Sequence, residues 1–449
     1  MRPPFARTLH DLLEEQAALR PDALAAICAG RPITYAALAV RARAVAAALR
    51  ARGLRHGERV GILMNNRTEF LEALFGASTA GATIIPFSTW STRQELDFLL
   101  TDSDIRTLFA LPGFGKEDFT ASLGALVPEA EAGGVWRSAR YPALRDLVMV
   151  GGPAPAGWLD YEAMLADAPE LEALPPGEAA NAGDDGIVLY TSGSTSKPKA
   201  VRLIQHGIVE NGFNIGERQG LVPGDRVLTA VPLFWAYGAV HALPASFSHG
   251  ATLVLQSRFE PGEALDLIER HRCTSIYTLP AMTAALIRHP EFRPVSGSTM
   301  RGYGGASAEH NTTVFTADGW FRTGDMGQLD VAGRVQFLGR SGEMIKRSGI
   351  NVSPAEVEEA LMQHPAVSQV GVVGVPDPEK GELIVAFVVP KPDAQLGAQE
   401  LAAHCRGIAS AYKVPDRIEI RPALPTTVTG KLLRRSLKDE AAALPPAKG

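Results

Sequence analysis

Cysteine is scarce in this chain: Cys28, Cys273 and Cys405 are its three, too scattered for a metal-spaced pair or a disulfide framework. A reducing cytoplasmic setting is the expectation that follows. No apolar run approaches the length of a membrane span, and the basic start Met1-Arg2-Pro3-Pro4 meets Asp11, Glu14 and Glu15 before any long apolar stretch, which is not the pattern of a signal peptide. Positive charge is not in excess either. The formal net charge is −5 and no dense Lys/Arg run with interleaved aromatics occurs, so nucleic acid is not an expected partner. With 46% apolar and 21% charged residues, the 449-residue chain reads as an ordinary folded protein of more than one domain.

What is present is alternation. Arg59–Met64 and Ala82–Pro86 read as buried strands flanking a helix from about Thr68 to Gly81, and the pattern returns from Arg226 to Tyr277. Strand, helix and strand at these spacings predict parallel βαβ units, hence an α/β fold. After Arg293 the texture changes. Val370–Val375 and Leu383–Val389 alternate between predicted helices at Pro354–His364 and Ala398–Ala409, as in a small α+β domain. The expected division is a large N-terminal domain, residues 1–340, and a small domain, residues 341–449.

One stretch carries the most chemistry. Tyr190-Thr191-Ser192-Gly193-Ser194-Thr195-Ser196-Lys197-Pro198-Lys199 gathers five hydroxyls, a glycine and two lysines behind the apolar run Gly186–Leu189. Hydroxyls and bare backbone N–H groups donate to phosphate oxygens, glycine admits close approach, and lysine adds a point charge. The spacing is not that of a P-loop, and Pro198 blocks the helix such a loop needs. Alone, the stretch also reads as a solvated turn without a ligand.

Four further segments follow: the aromatic turn Val231–Gly238, the carboxylate-ended Trp320–Asp325, the glycine-punctuated Leu338–Gly349, and Pro425–Arg434, where Lys431 follows a Thr-Gly pair. In this order the set resembles the adenylate-forming (AMP-binding) enzymes, and within them the acyl-CoA synthetases, over nearly the whole chain. The resemblance implies an ATP-dependent ligase that activates a carboxylic or fatty acid as an acyl-adenylate and passes it to CoA, with ATP, Mg2+ and CoA as cofactor or co-substrates. It assigns Thr191, Ser192, Gly193, Ser194 and Thr195 to the ATP phosphates with Lys199 beside them. Asp325 goes to the ribose hydroxyls, Arg340 to ribose or phosphate, and Lys431 to the adenylation step. Trp235 and Tyr237 would line the acyl pocket, Ser348 and Gly349 the CoA channel, and Gly342 would be the hinge of a mobile C-terminal domain. No metal ligand is assigned, and the acceptor thiol is open between CoA and a carrier protein.

The resemblance also has departures. Ser196 and Ala200 replace family glycines, and Gly342 stands where Asp or Lys is usual. The family's Tyr-Gly-x-Thr-Glu motif has no counterpart, because Tyr303-Gly304-Gly305 continues into Ala306-Ser307. The expectation is an internal deletion on the order of a hundred residues near 296–299, and with it either reduced activity or a remnant that binds only nucleotide or a partner.

Overall fold

A computed structural model describes residues 8–132, 136–171, 178–191, 198–292, 302–304, 325–329, 335–340, 344–392, 394–425 and 434–444. They fall into two units. One gathers the described chain up to Thr191 with Pro198–Gly304 and Gly407–Ala411, and the other holds the described parts of Gly305–Arg406 and of Tyr412 onward.

In the first unit, strands β1 (Leu24–Cys28), β2 (Arg31–Thr34), β3 (Arg59–Leu63), β4 (Thr83–Pro86) and β5 (Ile105–Ala110) precede the short ladder β6 (Gly113–Phe114) and β7 (Glu117–Asp118). They are followed by β8 (Asp146–Met149), β9 (Leu159–Asp160), β10 (Asp185–Thr191), β11 (Lys199–Ile204), β12 (Arg226–Thr229), β13 (Thr252–Leu255), β14 (Ser275–Tyr277) and β15 (Gly302–Gly304). One sheet has the order β11-β10-β4-β3-β5-β8-β9, the other β15-β14-β12-β13-β1-β2. Both are mostly parallel; β11 and β2 are antiparallel to their neighbours β10 and β1. Every residue of β4 and β13 is buried, as expected where helices cover both faces of a parallel sheet.

Local sequence explains the elements. Thr8 and Thr34 cap the helices Leu9–Leu19 and Tyr35–Ala51, and Thr92 with Glu95 forms a capping box at Arg93–Ser103. The alanine-rich face of Tyr35–Ala51 lets the buried helix Thr68–Thr79 approach closely. A Cβ on Gly76 would sit 2.6 Å from Val45 Cγ1 and 2.8 Å from the Ala42 carbonyl. Tyr35 and Phe75 meet Phe247 with ring centroids 5.2 and 5.1 Å apart, joining helices distant in sequence into one core. The predicted helix near Gly238–His249 is present in a modified form, a π-helical turn at Tyr237–Ala242 running into an α-helix at Leu243–Ser248.

The second unit contains the hairpin β16 (Asp325–Leu329) and β17 (Val335–Arg340). It also holds a five-stranded sheet of β18 (Ile345–Arg347), β19 (Ile350–Val352), β20 (Val367–Asp377), β21 (Gly381–Pro390) and β22 (Arg417–Ile420). Val373, Val385 and Phe387 from β20 and β21 bury against Leu437 and Ala441 of the helix Arg434–Ala443. That helix is pinned at its start, where Arg434 donates to both carboxylate oxygens of Glu358 and to the Val372 carbonyl. Among the described residues no helix is long and apolar enough to cross a membrane.

Candidate active site

The Ser/Thr/Gly/Lys stretch stands between two paired strands. β10 and β11 run antiparallel from Ile187↔Leu203 to Thr191↔Lys199, so the last residue before the stretch is directly opposite the first of β11. β10 also pairs with β4 in parallel, which puts Thr191 at a carboxyl end of the sheet, the edge where open α/β sheets bind ligands. Lys199 is exposed there. Tyr190, one residue earlier, donates its hydroxyl to Asp102 at 2.7 Å, and burial with that carboxylate raises the phenol's pKa. Arg202 donates to Asp185 across the hairpin at 2.6 Å. Residues 192–197, and with them Ser192, Gly193, Ser194 and Thr195, lie outside the described residues.

The aromatic turn lies at the carboxyl end of β12. Trp235 packs edge-on against Trp90 at 4.7 Å, and Phe234 touches both rings. Tyr237 meets Tyr277, at the end of β14, at 5.2 Å and His241 at 6.0 Å. Tyr277 donates to Gln219 at 2.9 Å, and burial pushes its phenol up to about 12. Gly238 is required here, because a Cβ would meet the Pro232 carbonyl oxygen at 2.2 Å. A π-helical turn widens the backbone and recurs at functional sites. Trp235 thus packs with Trp90 and Phe234, while Tyr237, two residues on in the same turn, packs with Tyr277 and His241.

Sequence reading missed the residue that holds this turn. Asn66, buried just beyond β3 in the other sheet, donates to the Val231 carbonyl at 2.9 Å and accepts from Leu233 N–H at 2.8 Å. The amide orientation is fixed, since the nitrogen faces carbonyls and the oxygen faces an N–H.

In the second unit Asp325 and Arg340 are opposite each other at the open end of the β16–β17 ladder. Residues assigned 15 positions apart are therefore brought to one register point. Ser348 and Gly349 form the two-residue turn between β18 and β19, with φ of 51° and 84°. Two positive values in succession mark a type I′ hairpin. Arg347, beside the turn, donates to the carbonyls of Tyr412 and Val414 and pairs with Asp416 at 2.6 Å. Gly342 and Lys431 lie outside the described residues. Among the described residues no three His, Cys, Asp or Glu side chains could hold a metal ion, and none of the three cysteines is in a disulfide.

Two mostly parallel sheets, with the sequence-assigned candidate residues Thr191, Trp235 and Tyr237 at or just beyond carboxyl strand ends, are followed by a small α+β unit, an α/β architecture. The family model of the AMP-binding enzyme matches residues 13–327 and that of its C-terminal domain residues 356–431, and the chain belongs to this family. It is 29% identical to a feruloyl-CoA synthase of Amycolatopsis sp. over 509 aligned positions, covering 94% of this chain and 97% of that one. It is 26% identical to a long-chain-fatty-acid–CoA ligase of Bacillus subtilis over 536 positions, covering 97% and 94%. Among solved structures, an o-succinylbenzoate CoA synthetase from Bacillus subtilis has the same fold, with a TM-score of 0.76 at 24% identity and 98% of each chain covered. An amide bond synthetase from Marinactinospora thermotolerans is as similar in fold, with a TM-score of 0.76 at 20% identity, covering 96% of this chain and 99% of that one. The two sequence alignments hold 60 and 87 more positions than the chain has residues.

Proposed function

We propose that this chain is an AMP-forming acid–thiol ligase that activates a carboxylic acid with ATP and transfers the acyl group to CoA. The observation that carries the reading is the Thr191↔Lys199 pairing at a carboxyl sheet edge, which bounds a hydroxyl- and lysine-rich segment in a chain of the AMP-binding family. In this reading residues 191–195 and Lys199 hold the polyphosphate. Asp325 offers two acceptor oxygens to vicinal ribose hydroxyls, and Arg340, opposite it in the ladder, adds a cation toward ribose or phosphate. The carboxylate oxygen attacks the α-phosphorus and pyrophosphate leaves. Lys431 offsets the negative charge that gathers on both oxygens. The thiol then attacks the acyl carbon and AMP leaves, with Ser348 and Gly349 along the thiol's path and Gly342 as the hinge between the two half-reactions. Magnesium would enter on the phosphates, as it usually does, with few protein ligands, and would neutralise their charge. Trp235 and Tyr237, with Trp90, would wall the acyl pocket. The domain division at 340/341 is part of the same proposal, as is a soluble, cytoplasmic setting.

A second reading is favoured by two observations: Ala306 and Ser307 supply no carboxylate where the family carries Thr-Glu, and the relatives' alignments are longer than the chain. The missing stretch is proposed near 296–299, in the connection between the helix Pro280–Arg288 and β15. In this second reading the chain retains nucleotide binding and has lost adenylation. ATP/pyrophosphate exchange across carboxylates of increasing chain length separates the two. Exchange with any acid supports the ligase; ATP binding by calorimetry without exchange supports the remnant. Offering CoA and a carrier-protein thiol separately identifies the acceptor.

A further inference from the structure

At the opposite edge of the seven-stranded sheet, four arginines converge on one cavity. It has a volume of about 420 Å3 and is lined by Arg52, Arg106, Trp136, Arg137, Arg145 and Asp146 among others. Arg106 and Arg145 stand at the amino-terminal starts of β5 and β8, where Thr107 pairs with Asp146. Four residues of extended chain, about 13 Å, separate Arg106 from the carboxyl end of β5. The cavity therefore belongs to neither the hairpin base nor the aromatic turn.

The charges here do not balance locally. Arg52 is matched by Asp146, to which its Nε donates at 2.9 Å. Arg106 reaches Glu58 at 3.4 Å and the Arg52 carbonyl at 2.9 Å, and its Nε is buried with no hydrogen-bond partner. Arg137 donates to the Trp136 carbonyl at 2.9 Å, and Arg145 to the carbonyls of Pro142 and Leu144. Among the described residues no carboxylate lies within 4 Å of either of these two guanidinium groups. Burial and the charges of Arg137 and Arg106 together lower the pKa of Arg145. A fold that crowds like charges around an open cavity and answers only half of them with carboxylates is arranged for an anion from solution.

We propose that this cavity binds a small, multiply charged oxyanion of the phosphate or diphosphate class, separately from the nucleotide edge. Planar guanidinium forks match phosphoryl oxygens two at a time, and two of the four have nitrogens engaged only by backbone carbonyls. Trp136, buried on the wall and anchored by its indole N–H to the Gly157 carbonyl at 3.3 Å, gives the cavity one fixed apolar side. The occupied volume lies within the usual range of small-molecule sites.

The test titrates the full chain with pyrophosphate and, separately, with inorganic phosphate at constant ionic strength. An α,β-methylene analogue of ATP is present to occupy the nucleotide edge. Calorimetry is expected to show saturable binding of pyrophosphate that weakens about 10-fold in Arg137→Gln and is lost in the Arg137→Gln/Arg145→Gln double variant. Pyrophosphate should also raise the melting temperature of the wild type and leave that of the double variant unchanged. Without anion, the double variant should melt no lower than the wild type, because it removes repelling charges. Binding that is equal in wild type and variants, or no saturable binding at all, overturns the proposal. Should the double variant not fold, Arg137→Gln alone decides, since that side chain is exposed and makes one hydrogen bond to a neighbouring carbonyl.

Discussion

Replacing Asn66 by alanine tests whether one amide holds the aromatic turn. The side chain is 2% exposed and spans from the end of β3 to the turn after β12. Its removal strands the Leu233 N–H and the Val231 carbonyl, both on residues that are at most 1% exposed. The Thr229 carbonyl keeps another donor, the Gln256 N–H at 3.2 Å, and so adds little. An unsatisfied buried backbone group costs about 1–3 kcal/mol, so the two together predict a loss of about 2–6 kcal/mol. Urea unfolding followed by tryptophan fluorescence would read this as a lower midpoint, with Trp90 and Trp235 reporting the turn itself. Asn66→Asp sharpens the test. It keeps the acceptor for Leu233 but turns a buried carboxylate oxygen toward the Val231 carbonyl, so it should be at least as damaging as alanine. If the chain is an active ligase, the alanine variant should also raise the KM for the carboxylate more than that for ATP. An alanine variant within about 0.5 kcal/mol of wild type, or an aspartate variant as stable as wild type, would refute the reasoning.

Gly238→Ala forces a Cβ onto the backbone of Pro232 and Leu233, neither of which can swing aside, and should cost about 3 kcal/mol by the same denaturation assay. Asp97→Asn addresses pH dependence. The Arg140 guanidinium, donating at 2.7 Å, and the Tyr141 hydroxyl hold the Asp97 carboxyl below its usual range. The pair therefore stabilises the fold above the unfolded-state value of about 3.9, and this contribution fades as pH falls through the lower folded-state value. The variant should be less stable at pH 7, with the gap to wild type closing toward pH 3; a gap that stays constant over that window would exclude the ion pair as its source. Lys431→Ala should abolish pyrophosphate exchange while sparing thioester formation from a supplied acyl-adenylate, and equal loss of both would contradict its assigned role. Asp325→Ala should raise the KM for ATP with the carboxylate KM unchanged, and an unaltered ATP dependence would make it a turn residue only.

The parts of the fold legible in the sequence are those with a period. Arg59–Leu63, Thr83–Pro86 and Thr252–Leu255 are apolar runs between turns, and they form buried parallel strands within a residue or two of expectation. β11 was hidden because Lys199–Ile204 is an edge strand with four exposed residues, so it reads as the tail of a polar loop. The second unit's long strands β20 and β21 showed only their apolar centres, since polar or small residues such as Ser368, Gln369, Asp377, Gly381 and Glu382 extend them beyond the apolar runs. Asn66 could not be found from pattern at all. A lone polar residue after a strand signals a turn, and nothing local says that its partners lie 165 and 167 residues away. The four arginines of the cavity, at 52, 106, 137 and 145, are likewise unremarkable until the sheet brings them together. The pairing of Asp325 with Arg340 was not legible either: both were assigned by resemblance to ligand roles, and only the strand register sets them opposite each other.

The position of β1 bears on how the protein is made. Ala26 pairs with Leu253, its hydrogen-bonding neighbour on that side, and Tyr35 and Leu24 are tied to Ala251 and Thr252. A nascent chain leaving the ribosome at about 5–20 residues per second would expose this first apolar strand for about 10–45 s before its neighbour is synthesised. Throughout that interval Leu24–Cys28 offers a bare strand edge to other chains, so yield in cells should depend on chaperone capacity during translation more than on the stability of the finished fold.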